Sequence, residues 1–207
     1  QLSDNSPASV STFELLRSPR FWLIVMSLQP LILTISIFMV NLAPFAADLG
    51  FGAQDAALVM STLSAGIIAG KIGIGVLVDR LDFRRVYFMV ILVMLIVLGL
   101  LTMSPNYVML IGCSILLGIS SGALMILQAC IVRNQYDVAI FGSVMGLVSL
   151  TFVSNSLGAP LSGWIREMTG SYSAIWLGLM CLTLMLSPAM LRLSPTPKIP
   201  KVVKEPG

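Results

Sequence analysis

The chain has 207 residues, 57% hydrophobic and only 10% charged, with 12 Lys and Arg against 9 Asp and Glu for a net charge of +3. Soluble domains carry roughly 25% charged residues, so this composition excludes a water-soluble globular fold and indicates an integral membrane protein. There is no histidine, which removes the commonest metal ligand and general base. The 3 cysteines, Cys113, Cys130 and Cys181, all lie inside apolar runs, an odd set that argues against a disulfide framework or a zinc site.

Residues 1–19 are polar, without an initiating methionine or the basic start and apolar core of a signal peptide. They read as a cytoplasmic linker entering the first span, cut from something longer. Six apolar runs follow, each long enough for the ~20 residues a bilayer crossing needs. Phe21 to Ala43 is uncharged, and Pro30 inside it is expected to kink the helix by removing a backbone hydrogen bond. Ala56 to Val78 holds Lys71 as its only charge. Val86 to Met103 is almost purely aliphatic and is expected to face lipid. A turn at Ser104, Pro105 and Asn106 leads into Tyr107 to Val132, rich in Gly and Ser, with Gln128 near its end. Val138 to Ile165 is long enough to tilt or bend and contains Ser154, Asn155, Ser156 and Pro160. Tyr172 to Leu191 is the last run, and residues 194–207 read as a proline-rich, solvated cytoplasmic tail. None alternates polar and apolar residues as barrel strands do, so the fold class is all-α, a polytopic bundle of six transmembrane helices over residues 20–193.

Cations outside the spans fix the expected orientation. Arg17, Arg20, Arg80, Arg84, Arg85, Arg133, Arg192, Lys198, Lys201 and Lys204 fall on one side, and Arg166 alone on the other. The positive-inside rule then places both termini in the cytoplasm, with the cell membrane as the expected location. Small residues mark helix contacts. Gly66 and Gly70 form a GxxxG with Ala65, Ala69 and Gly73 beside it, and Gly118 with Gly122, Gly142 with Gly146, and Gly158 with Gly163 repeat the theme as expected packing seams.

Between Gly75 and Arg85, the sequence GVLVDRLDFRR resembles the cytoplasmic-loop signature of the major facilitator superfamily. Gly75, Asp79, Arg80, Arg84 and Arg85 match that signature as a conformational latch, while Asp82 stands where the family usually has glycine. Phe141 to Gly178 is similar to the last two spans of the monocarboxylate-transporter branch and its bacterial relatives, including the Gly158, Pro160, Gly163 bend and the turn from Thr169 to Tyr172. The resemblance implies twelve spans in two six-span halves, each half two inverted three-helix repeats, with substrate bound between the halves. This chain would be the C-terminal half, with repeats over 20–104 and 105–193, and its partner the missing N-terminal six-helix half. Asp79 would then contact a helix end in that half. A six-span chain could also be complete as a dimer.

A cation at the centre of a span costs about +2.5 to +3.5 kcal/mol on the translocon scale, so Lys71 is a functional candidate by default. At 1.5 Å per residue it lies about 24 Å from the outer end of its span and about 12 Å from the inner end. Three readings stand: snorkelling toward cytoplasmic water or pairing locally, attracting a substrate anion in a central cavity, or pairing with an acid of the missing half. In the monocarboxylate branch a basic residue at the matching place is implied to bind the substrate carboxylate. The carboxylate one turn earlier in proton-coupled relatives is replaced by Ile67, which puts proton symport in doubt. Gln29, Asn41, Gln128 and Asn155 need hydrogen-bond partners in lipid, as helix glue or as cavity lining. With Lys71, the residues Asn155, Gln128 and Asn41 form the candidate substrate-binding set. Asp48, Asp55 and Glu167 fall at the outer surface and are expected to be solvated.

The expected function is secondary active transport of small organic anions, monocarboxylates first, by alternating access, with protons as a candidate coupling ion. Alternatives are efflux of drug-like or hydrophobic solutes, and a non-transporting membrane sensor or scaffold of the same fold. No constellation of nucleophile, base and orienting group supports an enzyme, and no cofactor is implied. The cations sit at membrane boundaries, so topology explains them without nucleic acid.

Overall fold

The computed structural model describes residues 12–103 and 105–193. The tail 194–207 with Lys198, Lys201 and Lys204, the first part of the linker, Ser104 and the side chain of Ser154 lie outside the described residues. The described residues form helices joined by short turns: α1 (Thr12–Arg17), α2 (Pro19–Asp48), α3 (Ala53–Arg80), α4 (Phe83–Thr102), α5 (Tyr107–Gln135), α6 (Val138–Thr151), α7 (Gly158–Thr169) and α8 (Ser173–Leu186), with 3-10 segments at Phe152–Leu157 and Ser187–Arg192. Six stretches are long and apolar enough to cross a membrane, the fifth being Val138–Thr169 and the sixth Ser173–Arg192.

One boundary differs from the sequence reading, and two spans are interrupted near proline. α2 does not stop at Ala43; it runs through Pro30 and Pro44 to Asp48 as one helix. Each ring holds φ near its helical value and removes only one rung, which a long helix can lose. The interruptions come elsewhere. The fifth span tightens into a 3-10 segment just before Pro160, and the sixth does so around Pro188. Left-handed glycines then end two helices, Gly50 (φ 85) after α2 and Gly170 (φ 70) after α7.

The α2 helix is the axis of the bundle. In its most apolar stretch 61% of residues are buried, against 22% in α3 and 18% in the fifth span. The buried side chains Phe21, Ile24, Leu28, Leu31, Phe38, Leu42 and Phe45 run its whole length. Tyr87 on α4 donates its hydroxyl to the Ser27 carbonyl at 2.7 Å, and Phe38, Phe45, Tyr172 and Trp176 form an aromatic cluster joining α2 to α8. The helix pairings are reciprocal: α3 packs on α5, the fifth span packs on α2, and α4 meets α8.

Lipid tails are as apolar as leucine, so helices here associate through close backbone packing and interhelical hydrogen bonds. The α3–α5 seam is the closest packing among them. The buried face of α3 is the stripe Ala56, Val59, Leu63, Gly66, Gly70, Ile74, spaced by three and four. A methyl added at Gly66 would lie 2.5 Å from the Ile115 carbonyl oxygen, and one at Gly122 would lie 2.5 Å from the Ile67 oxygen and 2.7 Å from the Lys71 nitrogen. Methyls at Gly70 and Gly118 would run into the carbonyls of Ile119 and Leu63. Thus two of the seams expected from the sequence interlock backbone against backbone. Gly158 packs on Leu33 and Ile37, but Gly142, Gly146 and Gly163 have no neighbour where a methyl would point, and Ala65 and Ala69 are exposed. Those residues are not seams within this chain, because the face they share looks away from the bundle.

Gly122→Ala should therefore destabilise the chain by about 1–3 kcal/mol through overpacking. Gly112→Ala on the same helix, where a methyl would meet open space, should be neutral or stabilising by up to ~1 kcal/mol. Unfolding in detergent, followed by helix signal, checks both; equal effects would remove the seam from the account.

Candidate functional site

Lys71 stands on α3, about 27 Å from Ala53 and about 14 Å from Arg80 at 1.5 Å per residue. Its two ends are in different settings. The backbone nitrogen lies in the crossing with α5, opposite Gly122, whereas the side chain is on the exposed face of α3 with Ile68, Ala69, Ile72 and Val76. The seam thus fixes the lysine's Cα and turns its ammonium out of the bundle. Among the described residues Lys71 makes no hydrogen bond or ion pair, so no local acid neutralises it.

The three amides grouped with Lys71 are placed differently. Asn41 is buried, and its Nδ2 donates to the Ser162 hydroxyl at 2.7 Å and to the Ile37 carbonyl at 2.9 Å, joining α2 to α7. Asn155, in the 3-10 segment of the fifth span, is 7% exposed, and its Oδ1 accepts from Gln29 Nε2 at 2.8 Å. Gln128 is buried on α5. Asn41 and Asn155 thus pair with neighbouring helices of this chain, and all three amides are buried whereas Lys71 is exposed. The Gln29–Asn155 and Asn41–Ser162 bonds lie on either side of the Gly158 contact, so the α2–fifth-span seam is held by polar rungs where the α3–α5 seam is held by glycines. Sequence reasoning had no sign of Ser162, since a serine in an apolar run gives no indication of its partner.

The loop between α3 and α4 divides between two roles. Asp79, Arg80 and Arg85 are exposed, and Gly75 packs on Ile126 at the end of α3. Arg84 is used within the chain, its Nη2 donating to the Leu191 carbonyl at 3.4 Å and tying the start of α4 to the end of the sixth span. At the opposite end of the bundle, two acids expected to be solvated are engaged. Asp48 at the end of α2 accepts from Arg166 of α7 through both oxygens, Nε at 3.0 Å and Nη2 at 2.5 Å, and the guanidinium also lies over the Tyr172 ring at 5.3 Å. Burial pushes the Tyr172 phenol up from its ordinary value, and the neighbouring Arg166 charge partly offsets this. Asp55 accepts the Gly52 N–H at 3.1 Å and caps α3. Glu167 is exposed.

A cavity of about 420 Å³ opens between the C-terminal end of α2 and the N-terminal end of α3, lined by Met39, Leu42, Ala43, Ala47, Phe51 and Met60 among other apolar residues. Lys71 is not part of it. Among the described residues no group of three or more His, Cys, Asp or Glu could hold a metal ion. What α3 offers chemically is a cation on an apolar surface, with no acid of the described residues paired to it.

Residues 23–207 match the family model described as Major Facilitator Superfamily. The chain is 30% identical over 171 residues to monocarboxylate transporter 12-B of Danio rerio, covering 80% of this chain and 36% of that protein. It is 28% identical over 170 residues to monocarboxylate transporter 12 of Xenopus laevis, covering 80% and 37%, and 26% identical over 173 residues to human monocarboxylate transporter 7, covering 80% and 33%. These relatives are transporters and not enzymes, and the chain spans about a third of their length.

If Asn41 serves the α2–α7 contact, Asn41→Ala should destabilise the fold by about 1 kcal/mol. A double-mutant cycle with Ser162→Ala should return most of that as coupling. Strict additivity of the two substitutions would free Asn41 for another role.

Proposed function

The chain belongs to the major facilitator superfamily, and from that membership we propose that it is the C-terminal half of a secondary transporter of small organic anions, monocarboxylates foremost. In this reading it lies in the cell membrane with both termini in the cytoplasm, and it works by alternating access against an N-terminal six-helix half. Lys71 carries the proposal. It is a cation within an apolar span, its backbone held in the tightest seam and its side chain turned to an uncovered face, with no acid among the described residues to neutralise it. A charge inside a span is costly unless a counter-charge arrives, and a carboxylate substrate is the counter-charge. The relatives, named as monocarboxylate transporters, agree with that chemistry.

The buried amides have a different part in this proposal. Asn41, Asn155 and Gln128 hold the walls of the cavity in register, and Lys71 does the anion binding. The exposed Asp79, Arg80 and Arg85 are left to engage the other half as a latch. With Ile67 one turn before Lys71, coupling to protons needs another residue. A second reading, carriage of hydrophobic solutes, is favoured by the apolar cavity between α2 and α3.

The test is uptake of labelled small carboxylates into proteoliposomes of the full-length protein, with and without a pH gradient. Lys71→Ala should lower uptake about 30-fold or more, the scale of losing one member of a desolvated charge pair, while Lys71→Arg retains a measurable part. Undiminished uptake in Lys71→Ala would overturn the assignment. Folded protein that carries no acid would point to hydrophobic solutes or to a sensor.

A further inference from the structure

The chain does not enter its first span directly. α1 precedes it, and Ser18, with an extended backbone (φ −71, ψ 125), turns the chain between α1 and α2 so that the two do not share an axis. Leu15 is 4% exposed and fastens α1 to the bundle, whereas Phe13 is 65%, Leu16 37% and Trp22 47% exposed. Three large apolar groups at the mouth of a span would be costly in water. Two contacts organise them. The Trp22 indole N–H donates to the Leu16 carbonyl at 2.8 Å, and the Arg17 guanidinium lies over the Phe13 ring at 5.6 Å. The first supplies a donor to a carbonyl in the last turn of α1 and leaves the indole ring with no free polar atom. The second leaves the outer edges of the guanidinium free to donate. Arg20 is exposed one turn before the apolar stretch deepens.

We propose that α1 and the start of α2 form an interfacial anchor that takes anionic phospholipid. Phe13, Leu16 and Trp22 insert at the level where headgroups meet acyl chains, and Arg17 and Arg20 pair with lipid phosphates. Short amphipathic segments with aromatic and basic residues lie in this plane, and tryptophan concentrates there because its ring is amphipathic. Charge decides the occupant. The exposed apolar groups are interleaved with charge, and Arg17 and Arg20 outnumber the single exposed acid, Glu14, which suits a phosphate-bearing surface and not the apolar flank of another helix. The inference rests on the membrane placement of α2 and is independent of the substrate assigned to Lys71.

The experiment uses the full-length protein in nanodiscs of phosphatidylcholine with or without phosphatidylglycerol. A nitroxide is placed at Glu14→Cys after every native cysteine of the full-length protein, Cys113, Cys130 and Cys181 among them, is changed to Ser. With phosphatidylglycerol present, oxygen should reach the label more readily than a water-soluble nickel chelate does. Arg17→Gln and Arg20→Gln should each raise the phosphatidylglycerol content needed for this state roughly fivefold, the weight of one cation at an anionic surface. Phe13→Asp, which keeps both arginines, should abolish it. Nickel access that is high and unchanged by phosphatidylglycerol would overturn the proposal, as would a label that neither collider reaches, which would mean that protein covers α1. A water-exposed label in protein that still shows Lys71-dependent uptake would remove the anchor alone. An immersed label in protein that carries no acid would remove the transport reading alone.

Discussion

In a bilayer no water is expelled when two apolar helices meet, so the bundle depends on how closely backbones can approach. The contact between α3 and α5 meets that constraint most fully. Gly66 and Gly70 face Gly118 and Gly122, and each lacks the methyl that would collide with a carbonyl or backbone of the opposite helix. The candidate cation hangs on this contact. Lys71 follows Gly70 directly, its nitrogen opposite Gly122, so the helix that carries the charge cannot roll or slide without breaking the seam.

The reciprocal contact, between the fifth span and α2, is built from other materials. One glycine, Gly158, packs against Leu33 and Ile37, and three polar contacts run along the join: Gln29 to Asn155, Asn41 to Ser162, and Asp48 to Arg166 at the C-terminal end of α2. Hydrogen bonds set a helix's rotation while leaving its axis farther away than glycine packing does. The fifth span also loses α-helical geometry between Phe152 and Leu157, just before Pro160. The half-bundle therefore presents two weakly covered spans of different character, a continuous one locked by glycines and a segmented one held by amides.

Those two spans have the smallest buried share of the six. On α3 the uncovered face carries Lys71 among Ile68, Ile72 and Val76, and on the fifth span it carries Leu150, Val153, Leu157 and Leu161. In the proposed transporter these faces would be the walls shared with a second half. The exposed Asp79 and Arg80 fall on the same helix as the lysine, at its C-terminal end.

Much of this was legible in the sequence, because its causes are local. Runs of about 20 apolar residues state the number of spans, and the GxxxG spacing states which faces of α3 and α5 can approach closely. A single lysine in an apolar run states its own importance through its cost. Long-range pairing was not legible. Asp48 and Asp55 have the composition of solvated loop acids, yet one meets Arg166 across 118 residues of chain and the other caps α3. Asn41, Gln128 and Asn155 resemble cavity-lining amides in a linear reading, and only the packing turned them into the bundle. Gly142 and Gly146 carry the same motif as Gly66 and Gly70 but meet nothing. The sequence by itself determined the solvent, the number of spans and the position of the charge, since each depends on residues a turn or two apart. The tertiary structure alone decided which polar and small residues are spent inside the bundle and which remain open, because a side chain's partner is set by the rotation of its helix against another.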